Sequence, residues 1–341
     1  MCKVLLTADW HIRGDRPRCR TDEDWLESQR QDIRNVAAVA REKGCAFAFI
    51  LGDLFHQARV STEVVNMALA ELKALEEGLS VETPFGNPGR VYILPGNHDL
   101  PYHDYGNLEQ SSLGIVLKMF RELHTPTPED PWRSACYSRI YAMPFGMDEP
   151  GNPEHSEGRS VWATHQLTFP DRASIPPGAV GRTAQELVDA APWARIIMTG
   201  DYHHGYLDTY ERADGSKCRV VTPGCLNIQA ADMAEYRPRV YVWDVDTDAI
   251  ERVYLPVDTE HVRTDYLEAE EERGDRMEEF AGMVGTAAGV SLSFRDNLAK
   301  ALDGMEPPDA TPGNFTGPGE YLDAVKGKVL EIVDKLTKDR E

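Results

Sequence analysis

Lys3-Val4-Leu5-Leu6-Thr7-Ala8-Asp9-Trp10-His11, at the head of the chain, is the stretch from which the fold is read. Lys3–Thr7 has the length and apolar content of a buried strand. Directly after it stand an aspartate and a histidine, two side chains able to bind metal. The same unit recurs. Ala46–Leu51 is followed by Gly52-Asp53, Val91–Leu94 by Gly96-Asn97-His98-Asp99, Val161–Thr164 by His165, and Ile196–Thr199 by Gly200-Asp201-Tyr202-His203. In open-sheet enzymes ligands bind outside the carboxyl ends of the strands. Five strand ends that deliver Asp, Asn or His to one edge therefore build one site there. Taken singly each motif is weak, because a DxH arises by chance and a lone histidine is more often a core or surface residue than a ligand. The conjunction carries the argument.

Between these runs the pattern is helical. Thr21 is the expected cap of a helix reaching Lys43, with Trp25, Ile33 and Val36 as apolar positions, and Ser61–Glu77 carries Val64, Met67, Leu69 and Leu72. Further on, Leu207–Glu211 and Cys218–Thr222 flank Asp214-Gly215 as a hairpin, and Val240–Val245 pairs with Ile250–Leu255 around Asp246–Asp248. Strands alternating with helices, then hairpins, predict an α/β (α+β) fold with a second layer of sheet.

Composition narrows the function classes. The 341 residues allow about two domains, and 41% hydrophobic with 27% charged residues is an ordinary globular balance. No apolar run approaches the ~18 residues of a membrane span. The N-terminus meets a charge too early for a signal peptide, so a cytoplasmic protein without a membrane partner is expected. The six cysteines are scattered without a CxxC pair, which predicts reduced thiols rather than a zinc ribbon or a disulfide framework. The net charge of -21 weighs against a general polyanion binder, although a local basic patch or bound metal reverses the sign where it matters.

The composition shifts near residue 258. Residues 258–341 hold 20 acidic and 10 basic residues. This divides the chain into a domain at 1–257, a capping or helical appendage at 258–303, a Pro/Gly linker at 304–319 and a C-terminal helix at 320–341. In that helix Leu322, Val325, Val329, Ile332 and Leu336 form a short heptad seam. The seam either folds back on its own domain or docks a helical partner.

The ordered set DxH, GD, GNHD, H and GDxH resembles the calcineurin-like metallophosphoesterase superfamily over roughly residues 1–255, whose usual last motif is GHxH. The resemblance implies a two-sheet metallophosphoesterase sandwich flanked by helices, with two divalent metal ions at one edge. Two such cations clamp the attacking and leaving oxygens of a phosphoester, and a carboxylate must bridge them against their repulsion. Asp53 is the candidate bridge. By the family pattern Asp9, His11 and His203 complete one metal site and Asn97, His165 and Asp201 the other. His98 is implied to act beside the metals, on leaving-group protonation or transition-state charge. Asp201 stands where the family has histidine. The added oxygen character favours Mn2+, with Mg2+ as the second choice. His204 is the alternative ligand to His203 if the register slips by one.

Gly52-Asp53-Leu54-Phe55-His56 is similar to the GDLFH of SbcD-type nucleases, and Gly96-Asn97-His98-Asp99 has the Asp ending seen there. Thr222-Pro223-Gly224-Cys225 and Arg237-Pro238-Arg239 resemble further elements of that branch. The resemblance implies a DNA exonuclease or endonuclease subunit working in repair and recombination, with an SMC-like, SbcC-type ATPase as partner and a homodimer as the assembly. The chain has no GxxxxGK motif of its own. Arg13, Arg16, Arg18 and Arg20 are candidates to hold a DNA backbone at the mouth of the site, and Tyr102, His103 and Tyr105 to stack on a base or ribose. His56 is placed near the substrate. Two other readings remain at this stage: a phosphoesterase of nucleotides or other small phosphoesters, and a mainly structural subunit of an ATPase complex.

Overall fold

The computed structural model describes residues 2–79, 89–123, 139–147, 160–176, 181–230, 233–256 and 260–263, together with Lys326. Nearly all of these lie in the first of two compact units, Met1–Tyr266; the second is Leu267–Glu341. The Pro/Gly linker, most of the acidic appendage and the C-terminal helix read from the sequence lie outside the described residues, apart from residues 260–263 and Lys326, which is helical.

In chain order the elements are β1 (Lys3–Thr7), α1 (Trp25–Lys43), β2 (Phe47–Leu51), α2 (Thr62–Gly78), β3 (Arg90–Leu94), α3 (Ser112–Val116), β4 (Arg121–Glu122), β5 (Arg139–Met143), β6 (Ser160–Thr164), β7 (Thr168–Phe169), β8 (Arg182–Thr183), α4 (Ala184–Ala190), β9 (Ile196–Thr199), β10 (Tyr206–Glu211), β11 (Lys217–Thr222), β12 (Arg239–Asp244) and β13 (Ile250–Tyr254). One sheet has the order β13-β12-β1-β2-β3-β4 and a second β10-β11-β9-β6-β5, with β7 and β8 forming a small pair. Strands β1, β2 and β3 are mutually parallel, as are β6 and β9. Within each sheet, then, the ligand-bearing ends leave at the same edge. The expected two-sheet, helix-flanked α/β architecture is the one found.

Alternate residues of one strand enter different cores. Val4 and Leu6 of β1, Phe47, Phe49 and Leu51 of β2, and Tyr241 and Trp243 of β12 meet Val161, Ala163, Ile196 and Met198 between the two sheets. Leu5, Ala48, Ile50, Val91, Ile93, Val240 and Val242 point the other way, against Ile33, Val36, Ala40, Met67, Leu72 and Leu75 of α1 and α2. Trp162, Ile197 and Val220 pack beneath Leu187 and Val188 of α4. The layers therefore run helix, sheet, sheet, helix. Burial on both faces is why the strand sequences read as unbroken apolar runs instead of alternating.

Two expectations are corrected. Helix α1 is capped by Asp24, whose side chain accepts from the Glu27 amide, and not by Thr21. The Thr21 N–H is already spent on the His261 carbonyl, because residues 19–21 pair with 261–263 through an Arg20–Val262 bridge. Cys19, Cys45, Cys218 and Cys225 are free and buried, but Cys2 is disulfide-bonded, contrary to the all-reduced reading. No helix among the described residues is long and apolar enough to cross a membrane.

One ion cluster locks α1 to α2. Glu71, buried on α2, accepts from Arg34 Nε and Nη2 at 3.3 Å and lies 3.4 Å from Arg30 Nε. Removing the carboxylate leaves both guanidinium groups without it, while their partial exposure limits the penalty. Glu71→Gln is expected to destabilise the protein by about 1–2 kcal/mol, read as a lower denaturant midpoint at unchanged slope.

Candidate metal centre

The sequence after β1 keeps pairing beyond the strand. Asp9 N–H donates to the Gly52 carbonyl at 3.1 Å, His11 N–H to Asp53 at 2.9 Å and Ile12 N–H to Leu54 at 2.9 Å. To aim both side chains inward, the backbone turns left-handed at Asp9 (φ 50°) and His11 (φ 45°), and likewise at Asp53 (φ 52°) and Asp201 (φ 74°). Such conformations cost roughly 1–3 kcal/mol each in a non-glycine residue and persist only where the surroundings hold them. The motif glycines have a different reason. A Cβ on Gly52 would sit 1.9 Å from His165 Nδ1, and one on Gly96 would sit 2.2 Å from Asp53 Oδ1. The short motifs carry glycine because the reactive side chains press directly on the neighbouring main chain.

The described ligand atoms gather in overlapping groups, and His165 falls in with Asp9 and Asp53. Ligand atoms of Asp9, His11 and His203 lie within 4.8 Å of one another, as do those of Asp9, Asp53 and His165. His11 Nε2 is 3.0 Å from His203 Nε2. A single oxygen, Asp53 Oδ2, lies 3.6 Å from His11 Nε2 and 3.4 Å from His165 Nε2, between the two groups. His165 Nδ1 donates to the Leu51 carbonyl at 2.7 Å, since a carbonyl can only accept, which turns Nε2 to the site. Asn97 reaches His165 Nε2 at 3.0 Å; with its NH2 turned inward it also meets both Asp53 oxygens at 3.2 Å. Ligating a cation takes the opposite amide orientation, oxygen inward.

Electrostatics test whether the set fits metal. Asp9 is fully buried, and its Oδ2 has no hydrogen-bond partner among the described residues. Burial raises its pKa well above the ordinary range, His165 opposes the rise, and the charges of Asp53 and Asp201 add to it. Burial also works to raise Asp53, but His165, His11 and His98 outweigh it and hold that carboxyl well below the usual range. Burial opposes a charge on His165, yet Asp53, Asp9 and Asp201 raise its pKa well above the usual value. Burial lowers His11 and His203, keeping both imidazoles neutral as ligands must be. A buried oxygen without a donor, crowded carboxylates and neutral imidazoles suit divalent cations of mixed N,O preference.

The remaining candidates fall into place unevenly. His98 Nδ1 donates to the His56 carbonyl at 2.7 Å, and the two rings stack at 5.4 Å between centroids. Burial, then Arg13 and His98, push His56 down to about 4. Asp201 enters through its backbone, donating to Asp9 Oδ1 at 3.0 Å, and its carboxylate joins none of the clusters found among the described residues. His204 is exposed and joins no cluster either. Tyr102 is 91% exposed, and Tyr102 and His103 are both left-handed, with φ of 58° and 55°. His103 Nδ1 donates to the Asn97 carbonyl at 2.9 Å. Arg13 pairs with Asp15, and Arg16 donates to the Asp22 carbonyl. Arg20 is not at the mouth: it is buried, bidentate to Asp22 at 2.7 and 2.8 Å, and stacked on Trp25. Tyr105 spends its hydroxyl on Glu122 at 2.5 Å and packs on the core.

Asp99 is the residue that sequence reasoning passed over. Fully buried, it accepts from the amides of Leu54 at 3.2 Å, Phe55 at 3.0 Å and Gly96 at 3.0 Å. It thereby ties the loop after β2 to the loop after β3. Burial, with Asp53 beside it, pushes its pKa up to about 7. Its place as the last letter of GNHD was the available signal.

Residues 2–147 match the family described as calcineurin-like phosphoesterase. The matched segment carries Asp9, His11, Asp53, Asn97 and His98. Among solved structures, an archaeal phosphodiesterase is similar at 12% identity and TM-score 0.37, covering 74% of this chain and 99% of that one. A dimetal phosphatase from Danio rerio is similar at 12% identity and TM-score 0.46, covering 74% and 96%. No curated protein matches the chain.

Two substitutions test the supporting shell. Asp99→Asn keeps the shape but weakens the three backbone contacts, and is expected to lower metal affinity about 10–100-fold by titration calorimetry. Gly96→Ala is expected to abolish stoichiometric metal binding, measured as metal content after dialysis, because Asp53 must move.

Proposed function

We propose that the chain is a metal-dependent DNA nuclease that hydrolyses phosphodiester bonds with two divalent cations, Mn2+ foremost and Mg2+ second. The observation that carries this reading is Asp53 Oδ2 lying between His11 and His165, with the anchored His98 alongside. On this reading Asp9, His11 and His203 would hold one cation, Asn97, His165 and Asp201 would hold the other, and Asp53 would serve both. When bound, the cations supply Lewis-acid charge to the phosphoryl oxygens and acidify water. The protein positions the rest. With Nδ1 committed to the His56 carbonyl, His98 Nε2 is the nitrogen left to exchange a proton with the leaving oxygen. His56 stacks against His98 and limits its tilt. Arg13 and Arg16 hold the strand once Arg13 exchanges Asp15 for phosphate. Tyr102 and His103 offer exposed rings to a base. The similarity of GDLFH and GNHD to the SbcD-type motifs supports DNA as the substrate.

On the same reading, the segment 320–341 docks an SMC-like ATPase, and the active assembly is a homodimer. Removing residues 320–341 is expected to abolish partner binding in a pull-down and leave intrinsic cleavage intact; unchanged binding would refute the docking role.

Incubation with end-labelled linear DNA and Mn2+ tests the chemistry. Asp53→Ala and His98→Ala are each expected to lower cleavage by at least about 10²-fold in a protein that stays folded, and chelation to abolish it. Turnover of nucleotides with DNA left intact would turn the reading to a small-molecule phosphoesterase. Full activity with Zn2+ or iron and none with Mn2+ would overturn the metal assignment.

A further inference from the structure

We propose that the cleft lined by His204, Glu235, Tyr236, Arg237, Arg239 and Tyr254 is a second phosphate subsite, which takes a non-scissile phosphodiester of the strand being cut at the metal centre. This rests on the nuclease reading and adds a requirement to it: the substrate is a polynucleotide, not a mononucleotide.

The chemistry of the lining points to an anion. The chain carries a net charge of -21, yet three guanidinium groups gather round one tyrosine here. Arg237 Cζ lies 4.9 Å from the Tyr254 ring centroid, Arg239 Cζ lies 5.6 Å from the same ring and 5.1 Å from Tyr236, and Arg252 Nη1 is 3.5 Å from the Tyr254 hydroxyl. Among the described residues no carboxylate is paired with Arg237 or Arg239; the Arg239 Nε donates instead to the Arg237 carbonyl at 3.2 Å. Elsewhere Arg13, Arg20, Arg30, Arg34, Arg172 and Arg195 each hold a carboxylate. A guanidinium stacked on an aromatic face keeps its N–H fork free at the edge, the geometry that grips phosphate in bidentate fashion. Tyr254 is 45% exposed, so part of its surface remains open to a base or ribose. The cavity of about 370 Å³ is of the size that holds small ligands.

Its position ties it to the reaction. His204 directly follows His203, and its ring lies 6.3 Å from that of Tyr236. The Tyr236 hydroxyl donates to the Cys225 carbonyl at 2.9 Å. A Cβ on Gly224 would stand 2.5 Å from both the His203 carbonyl and the Tyr236 hydroxyl, so the loop that presents His203 rests on the wall of the cleft. A strand lying in the cleft passes beside the metal cluster, while an isolated small diester reaches the cluster alone.

The test uses the full chain and its Arg237→Ala and Arg237→Glu variants, at an exposed position where the fold is expected to survive the change. Binding of a labelled single-stranded DNA of about 20 nucleotides is read by fluorescence anisotropy with Ca2+, from about 50 to 200 mM salt. Cleavage of the same DNA and of bis(para-nitrophenyl) phosphate is read with Mn2+. The alanine variant is expected to bind DNA about 5–10-fold more weakly and to lose about one unit of salt slope, the glutamate variant to lose more, and small-diester turnover to stay within about twofold. Wild-type affinity and slope in both variants, equal losses on both substrates, or no DNA binding by the wild type would each overturn the subsite. DNA that is bound but never cut would sink the nuclease reading alone, and the affinity comparison would still decide the cleft.

Discussion

Two buried carboxylates that cannot move apart set the terms for the rest of this structure. Asp9 and Asp53 are both fully excluded from solvent, and their oxygens share a cluster no wider than 4.8 Å with His165. Like charges at that range, without water between them, repel strongly. The protein divides the load. Asp53 retains its charge among His165, His11 and His98, while Asp9 is driven toward the neutral acid by burial and by its acidic neighbours. A divalent cation removes the conflict. Relief of that repulsion would contribute to the affinity for such a cation.

The arrangement survives because nothing around it can relax. Four ligand positions are held left-handed, and Gly52, Gly96 and Gly200 leave no space between backbone and the His165 or Asp53 side chains. Asp99 fastens two of the ligand loops to each other from below. Beneath them the strands are locked by apolar packing on both faces. The strain sits in the last few residues after each strand and is supported by the regular structure before it.

What was legible in the sequence follows the same division. The five strand-then-ligand units were readable because burial on both faces writes itself as an apolar run and the ligand follows at once. Lys3–Thr7 and Ile196–Thr199 match the observed strands residue for residue. Both hairpins were visible from their turns. Features that depend on distant partners were not legible. The start of α1 moved from Thr21 to Trp25 because residues 261–263, far along the chain, claim the earlier backbone. Arg20 reads as one of a basic run, and only the fold shows it buried on Asp22 and Trp25. Asp99 looked like a family letter, and its three amide partners come from two loops brought together in space. The Asp201 carboxylate had a ligand's place in the pattern, yet what the structure records for it is a backbone contact to Asp9.

The double burial of the strands also has a kinetic consequence. Amide protons of β1, β2 and β9 are paired on both edges and covered on both faces, so they exchange with solvent only when the whole domain opens. The loops that carry Asp9, Asp53 and His203 are the first residues past that protected lattice. Local opening at these loops and unfolding of the domain thus run on separate clocks.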